Sequence, residues 1–148
     1  MIVVSMKNTD TVVKEMEELL NQSFQKNIHA HENDLPIVNG YYTGISATIR
    51  ALGYQYYYDH DRCWYVIQKD RYKNKPFKEY LNYAARIADG HWRMMMKEPL
   101  DDEDSKRLRE YSVIEGIDDV LYIFSKRLQW MPDNRCYKVV PLKNYDMS

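Results

Sequence analysis

His29-x-His31, followed by Glu32 and Asp34, is where metal-binding side chains crowd together in this chain. Two imidazoles two residues apart share a face when the backbone is extended, and a nearby carboxylate would extend the ligand set toward metal-assisted hydrolysis. The same residues also suit a polar loop, which is the weightier reading, so His29, His31 and Asp34 stand as weak metal candidates. Asp59, His60 and Asp61 could pair an acid with a base, yet Asp-rich turns need no catalytic explanation. Cys63 and Cys136 lack a C-x-x-C partner, and the chain carries no G-x-G-x-x-G, Walker loop or G-x-S-x-G. These residues lean away from an enzyme and imply no cofactor.

Charge is more informative. The formal net charge is only −1, but Arg62 to Lys97 holds nine basic and three acidic residues, whereas Glu98 to Asp119 holds nine acidic and three basic. In the basic part, Arg71, Tyr72, Lys73, Lys75 and Lys78 interleave cations with rings, a pattern suited to neutralising phosphates and stacking on bases. A solvated turn explains the same run. The acidic block Asp101, Asp102, Glu103 and Asp104 would repel phosphate, and it could instead occupy a basic groove on a protein that handles nucleic acid.

The histidine cluster slightly resembles the HxHxDH pattern of metallo-β-lactamase-type hydrolases, with Asn33 where Asp belongs and Asp34 where His belongs. The chain is short for that fold. Its 148 residues suit one domain spanning 1–148, with 45% hydrophobic and 29% charged residues. Fourteen tyrosines against three phenylalanines favour half-buried edges and contact surfaces. No apolar run reaches the ~18 residues of a membrane span, and MIVVSMKNTD lacks the pattern of a signal peptide, so a cytoplasmic protein with reduced thiols is expected.

The elements that must position these residues follow from periodicity. Ile2–Ser5 reads as a first strand, and a helix runs from Thr9 or Asp10 to about Lys26 with Val12, Met16, Leu20 and Phe24 on its stripe. Residues 27–40 read as a loop. A helix from Thr43 ends at Gly53, followed by a hairpin of YQYYY and CWYVIQK around DHDR. Pro76 starts a helix to Ala88 that Gly90 interrupts, HWRMMMKEP is ambiguous, and two further helices span Asp101–Ser112 and about Ile117–Leu128. LQWM and RCYKVV close the chain around the turn PDN.

DHDRCWYVI and PDNRCYKVV echo each other. Aligning Cys63 with Cys136 suggests an internal αββ repeat, 43–69 and 115–141, and predicts an α+β fold: one antiparallel sheet of four to five strands, helices mainly on one face. With Lys138 outward, that alignment sends Tyr137, Val139, Trp64 and Val66 inward and leaves Cys63, Tyr65 and Ile67 outside, making Tyr65 a binding-surface residue. The run IRALGYQYYYDHDRCWYVI resembles the helix, strand, wing, strand portion of winged-helix DNA-binding domains over less than a fifth of the chain. Its helix carries Arg50 alone as a basic residue, whereas backbone contacts normally need several.

The expected function is a non-enzymatic accessory or inhibitor protein that docks on a nucleic-acid-handling protein partner through segregated charge and tyrosine-rich surfaces. Direct binding of single-stranded nucleic acid comes second. Metal-dependent hydrolysis comes third.

Overall fold

The computed structural model describes residues 8–97 and 104–144. The expected first strand, Ile2–Ser5, lies outside them. Four α-helices and two hairpins occur in the order α1 (Thr9–Ile28), α2 (Leu35–Ala51), β1 (Tyr54–Asp59), β2 (Trp64–Lys69), α3 (Phe77–Lys97), α4 (Asp104–Ile123), β3 (Lys126–Met131) and β4 (Cys136–Pro141). The class is α+β. Among the described residues, no helix is long and apolar enough to cross a membrane.

Helix α1 starts where Asn8 accepts the Thr11 N–H at 2.8 Å, satisfying one of the open donors of its first turn. Val12, Met16 and Leu20 recur every four residues and are buried, as the stripe predicts. Helix α2 starts eight residues earlier than expected. Pro36 sits in its first turn, where a missing N–H costs nothing and a fixed φ helps, so the Pro read as part of a loop is a helix starter.

Glycine accounts for the central packing. A Cβ on Gly44 would lie 2.1 Å from the Val113 carbonyl oxygen, one on Gly116 2.4 Å from that of Tyr41, and one on Gly40 2.4 Å from that of Arg109. Backbone therefore rests on backbone where α2 crosses α4. The contacts advance in the same direction along both helices, so the two run parallel and both lead into hairpins at their C-terminal ends. Around this crossing the fully buried Ile45, Thr48, Ile49, Val113, Ile117, Val120 and Leu121 make the centre of the core.

Other expected breaks are also absent. Helix α3 continues through Gly90 to Lys97, since a Cβ at Gly90 would meet nothing within 4 Å and the position is simply a helix surface. Residues expected to make two helices after Asp101 form the single helix α4, and Leu128 belongs to β3.

The expected four- to five-stranded sheet is two separate two-stranded sheets, β1 with β2 and β3 with β4. The strand edges explain why. Asn21 of α1 accepts the Tyr65 N–H at 2.7 Å and Glu17 accepts that of Ile67 at 2.9 Å. In the second hairpin, Asp89 of α3 accepts the Tyr137 N–H at 2.6 Å and Asp118 of α4 that of Leu128 at 2.8 Å. On β2, β3 and β4, helical side chains thus take edge donors that another strand would have taken.

The face assignment of the first hairpin also reverses. Left-handed φ values mark Gly53 (95°) and Ser125 (60°) before each hairpin, and Cys63 (49°) and Arg135 (52°) within each turn. Equivalent positions are thus 72 apart, pairing Cys63 with Arg135, one residue from the expected alignment on Cys136. A slip of one exchanges the two faces of a strand. Ile67 is buried and Tyr65 packs edge-on against Phe24 at 5.0 Å between ring centroids, while Tyr137 and Val139 pack against the core as expected.

Candidate functional site

The connection from β2 to α3 carries the basic and aromatic residues, and local chemistry shapes it. Its first residue, Asp70, donates its N–H to the Gly53 carbonyl at 2.9 Å and accepts from the Tyr72 N–H through Oδ1 at 3.0 Å. The Lys73 N–H closes the turn on the Asp70 carbonyl at 3.0 Å. At the far end, the Lys75 N–H donates to the hydroxyl of the buried Tyr80 at 2.8 Å. Both ends of the loop are pinned, so its side chains stand at fixed places against α2 and α3.

Between them lies a cleft of about 250 Å³, lined by Arg50, Tyr72, Lys73, Lys75, Tyr80 and Tyr83 among others. The Lys73 ammonium donates to the Arg50 carbonyl at 2.6 Å, at the C-terminal end of α2, where the helix dipole favours a cation. The Lys75 ammonium donates to the Tyr83 hydroxyl at 2.9 Å, and that bond raises the Lys75 pKa, keeping it cationic. The Arg50 guanidinium lies 4.6 Å over the Tyr56 ring, Arg86 lies 5.7 Å from the Tyr83 ring, and Arg71 lies 4.9 Å over Tyr72. Among the described residues, Arg50, Lys73 and Lys75 form no ion pair with a carboxylate. Their direct contacts are ring faces, a hydroxyl and a carbonyl, with the Glu79 carboxylate acting on Lys75 at longer range.

Tyr72, Lys73 and Lys75 thus meet in one place, with Arg71 bonded to the Tyr72 hydroxyl at 2.8 Å beside them. Lys78 is exposed on the first turn of α3 and does not line the cleft. Tyr65 does not belong to this surface either, since it sits in the ring cluster of Phe24, Tyr56 and Tyr58 on the inward side of its hairpin. Asp101, Asp102 and Glu103 lie outside the described residues, and Asp104 is the first residue of α4.

Sequence reasoning did not place Arg50 and Tyr83 here. The available signal was the three-residue spacing of Tyr80 and Tyr83 after a proline-started helix, which puts both rings on one side. Arg50 reaches them only because Gly53 reverses the chain after α2.

The other reactive groups hold the fold together. Asp59 Oδ1 accepts the N–H groups of Asp61 and Arg62, which makes Asp59 a turn former. His29 caps the end of α1 and Asp34 precedes α2, its N–H bonded to the His31 carbonyl at 2.9 Å. Among the described residues, no three His, Cys, Asp or Glu side chains are gathered to hold a metal ion. A His91–Glu110 pair ties α3 to α4, with Arg109 3.6 Å from the Glu110 carboxylate. A second cleft, about 400 Å³, is acidic, but its Asp118 holds Arg127 at 2.9 Å through Nε, and its Asp119 accepts from Tyr41.

No protein-family model matches this chain, and no curated protein or solved structure matches it either.

Proposed function

We propose that the protein acts by binding, without catalysis, and that its ligand is single-stranded nucleic acid held at the cleft between the end of α2 and the start of α3. The observation that carries this reading is the gathering of Arg50, Lys73 and Lys75, none paired to a carboxylate among the described residues, beside tyrosine rings. Phosphates supply the missing counter-charge. The pinned loop favours flexible single strands, whose bases can turn toward a ring.

Engagement of about three phosphates gives a logarithmic salt slope near −2 for a single strand, so affinity falls roughly sixteenfold between 50 and 200 mM salt. Fluorescence anisotropy of a labelled oligodeoxythymidylate measures this. Failure to bind at low salt overturns the reading.

The second reading is the accessory or inhibitor protein docking on a nucleic-acid-handling partner. Exposed tyrosines favour it, since Tyr57, Tyr111 and Tyr122 are each at least half exposed and tyrosine is enriched at protein interfaces. It ranks second because the acids Asp118 and Asp119 are engaged within the molecule. Co-purification from the native host that recovers no such protein argues against it.

A further inference from the structure

The cleft between α2 and α3 is small and bordered by cationic donors and a tyrosine ring. Its volume of about 250 Å³ falls below the ~300–1,000 Å³ of pockets that enclose a whole drug-sized ligand, so it accommodates one unit of something larger or a small ligand left partly in water. An ammonium has three N–H donors. Lys73 uses one on the Arg50 carbonyl and Lys75 uses one on the Tyr83 hydroxyl, so each is oriented by a single bond and keeps two donors. The Arg50 guanidinium lies 4.6 Å from the centroid of the Tyr56 ring, and no hydrogen bond among the described residues uses its N–H groups.

Two ammonium groups with unspent donors therefore border one opening that Arg50 also lines. Beside them, Tyr72 is 79% exposed, and Arg71 covers one face of its ring. A large ring so placed gains nothing from the core. It offers a ring face beside cationic donors, which is the combination a nucleotide satisfies and a simple anion does not.

Resting on the single-strand reading, we propose that the cleft seats one nucleotide, its phosphate among Lys73, Lys75 and Arg50 and its base stacked on Tyr72. The same chemistry occurs in a free mononucleotide, and the two sources are separable. In anisotropy competition against labelled oligodeoxythymidylate, with direct calorimetry alongside, the probes are thymidine 5′-monophosphate, ribose 5-phosphate and inorganic phosphate. The mononucleotide is expected to bind roughly tenfold more tightly than ribose 5-phosphate, the contribution of one stacked base. Tyr72→Ala removes that difference, Tyr72→Phe retains it, and Lys73→Gln with Lys75→Gln weakens all three probes.

Equal binding of mononucleotide and ribose 5-phosphate, or an unaltered preference in Tyr72→Ala, overturns the seat even when the oligonucleotide binds. Mononucleotide binding with base preference but no oligonucleotide binding supports the seat and overturns the single-strand reading. Oligonucleotide binding that no small probe competes with overturns the seat alone, and binding of neither oligonucleotide nor small probes overturns both. Tyr72 is exposed, so its variants are expected to keep the wild-type circular dichroism spectrum.

Discussion

Asn21 is 4% exposed on α1, and its side chain does the work of a neighbouring strand. Its amide donates to the Glu17 and Tyr65 carbonyls at 2.8 and 3.0 Å while its oxygen takes the Tyr65 N–H. Replacement by Leu keeps the volume and strands a backbone donor and acceptor, so Asn21→Leu is expected to cost about 1–3 kcal/mol in urea unfolding. Nothing in the helical stripe marks Asn21 as inward, because its partner comes from a strand 44 residues later. Tyr41 shows a second residue-scale effect. Burial, then its bond to Asp119, raises the phenol pKa above its usual 10.0. The unfolded chain releases this proton first, so the contribution is intact below about pH 10 and is lost as pH rises toward the folded value. Unfolding midpoints measured from pH 8 to 11.5 should fall at the alkaline end, and Tyr41→Phe should flatten that fall.

At the scale of elements, the hairpins, α1 and the start of α3 were legible, while the start of α2, the end of α3 and the unity of α4 were not. Alternation and turn residues are local signals, and β1, β2 and β4 lie where they predicted. Helix α2 was truncated because Pro36 and Gly40 count as breakers in isolation. Their actual roles, a first-turn proline and a crossing point, depend on α4. The face of the first hairpin failed on one residue of alignment, since two cysteines offered a tempting match while the backbone aligns Cys63 with Arg135. The cleft was half legible for a similar reason: Tyr72, Lys73 and Lys75 are adjacent in sequence, whereas Arg50 and Tyr83 arrive by folding. Two element-scale outcomes follow. Asn8→Ala, which removes the cap of α1, should cost about 1 kcal/mol. Gly53→Ala imposes a Cβ at φ 95°, 3.1 Å from the Tyr80 ring, and should cost about 1–2 kcal/mol while disturbing the Lys75–Tyr80 bond beside the cleft. Thermal or urea unfolding measures both, and oligonucleotide affinity should weaken only in the second.

For the whole molecule, the order helix, helix, hairpin occurs twice, and we propose that the chain is one such unit used two times, longer than the αββ repeat expected at 43–69 and 115–141. Ile45 and Ile117, Ile49 and Leu121, and Gly44 and Gly116 stand 72 positions apart in matching roles, and Asn21 and Asp89 clip equivalent strands from the outer helices. On this view α2 and α4 form the seam between units. Gly44→Ala and Gly116→Ala must each push two backbones apart, and each should lose about 3 kcal/mol or more by chemical denaturation, with similar values for the two. Clearly unequal losses would count against equivalent halves.

The clipping of strands by carboxylates and an amide also bears on solution behaviour. A two-stranded ribbon with outer N–H groups of β2, β3 and β4 already engaged offers less for a foreign strand to recruit. Stripping Asn21, Glu17 or Asp89 would expose Tyr-rich ribbon margins to one another, and such variants should tend toward fibrous self-association at concentrations where the intact chain stays dispersed.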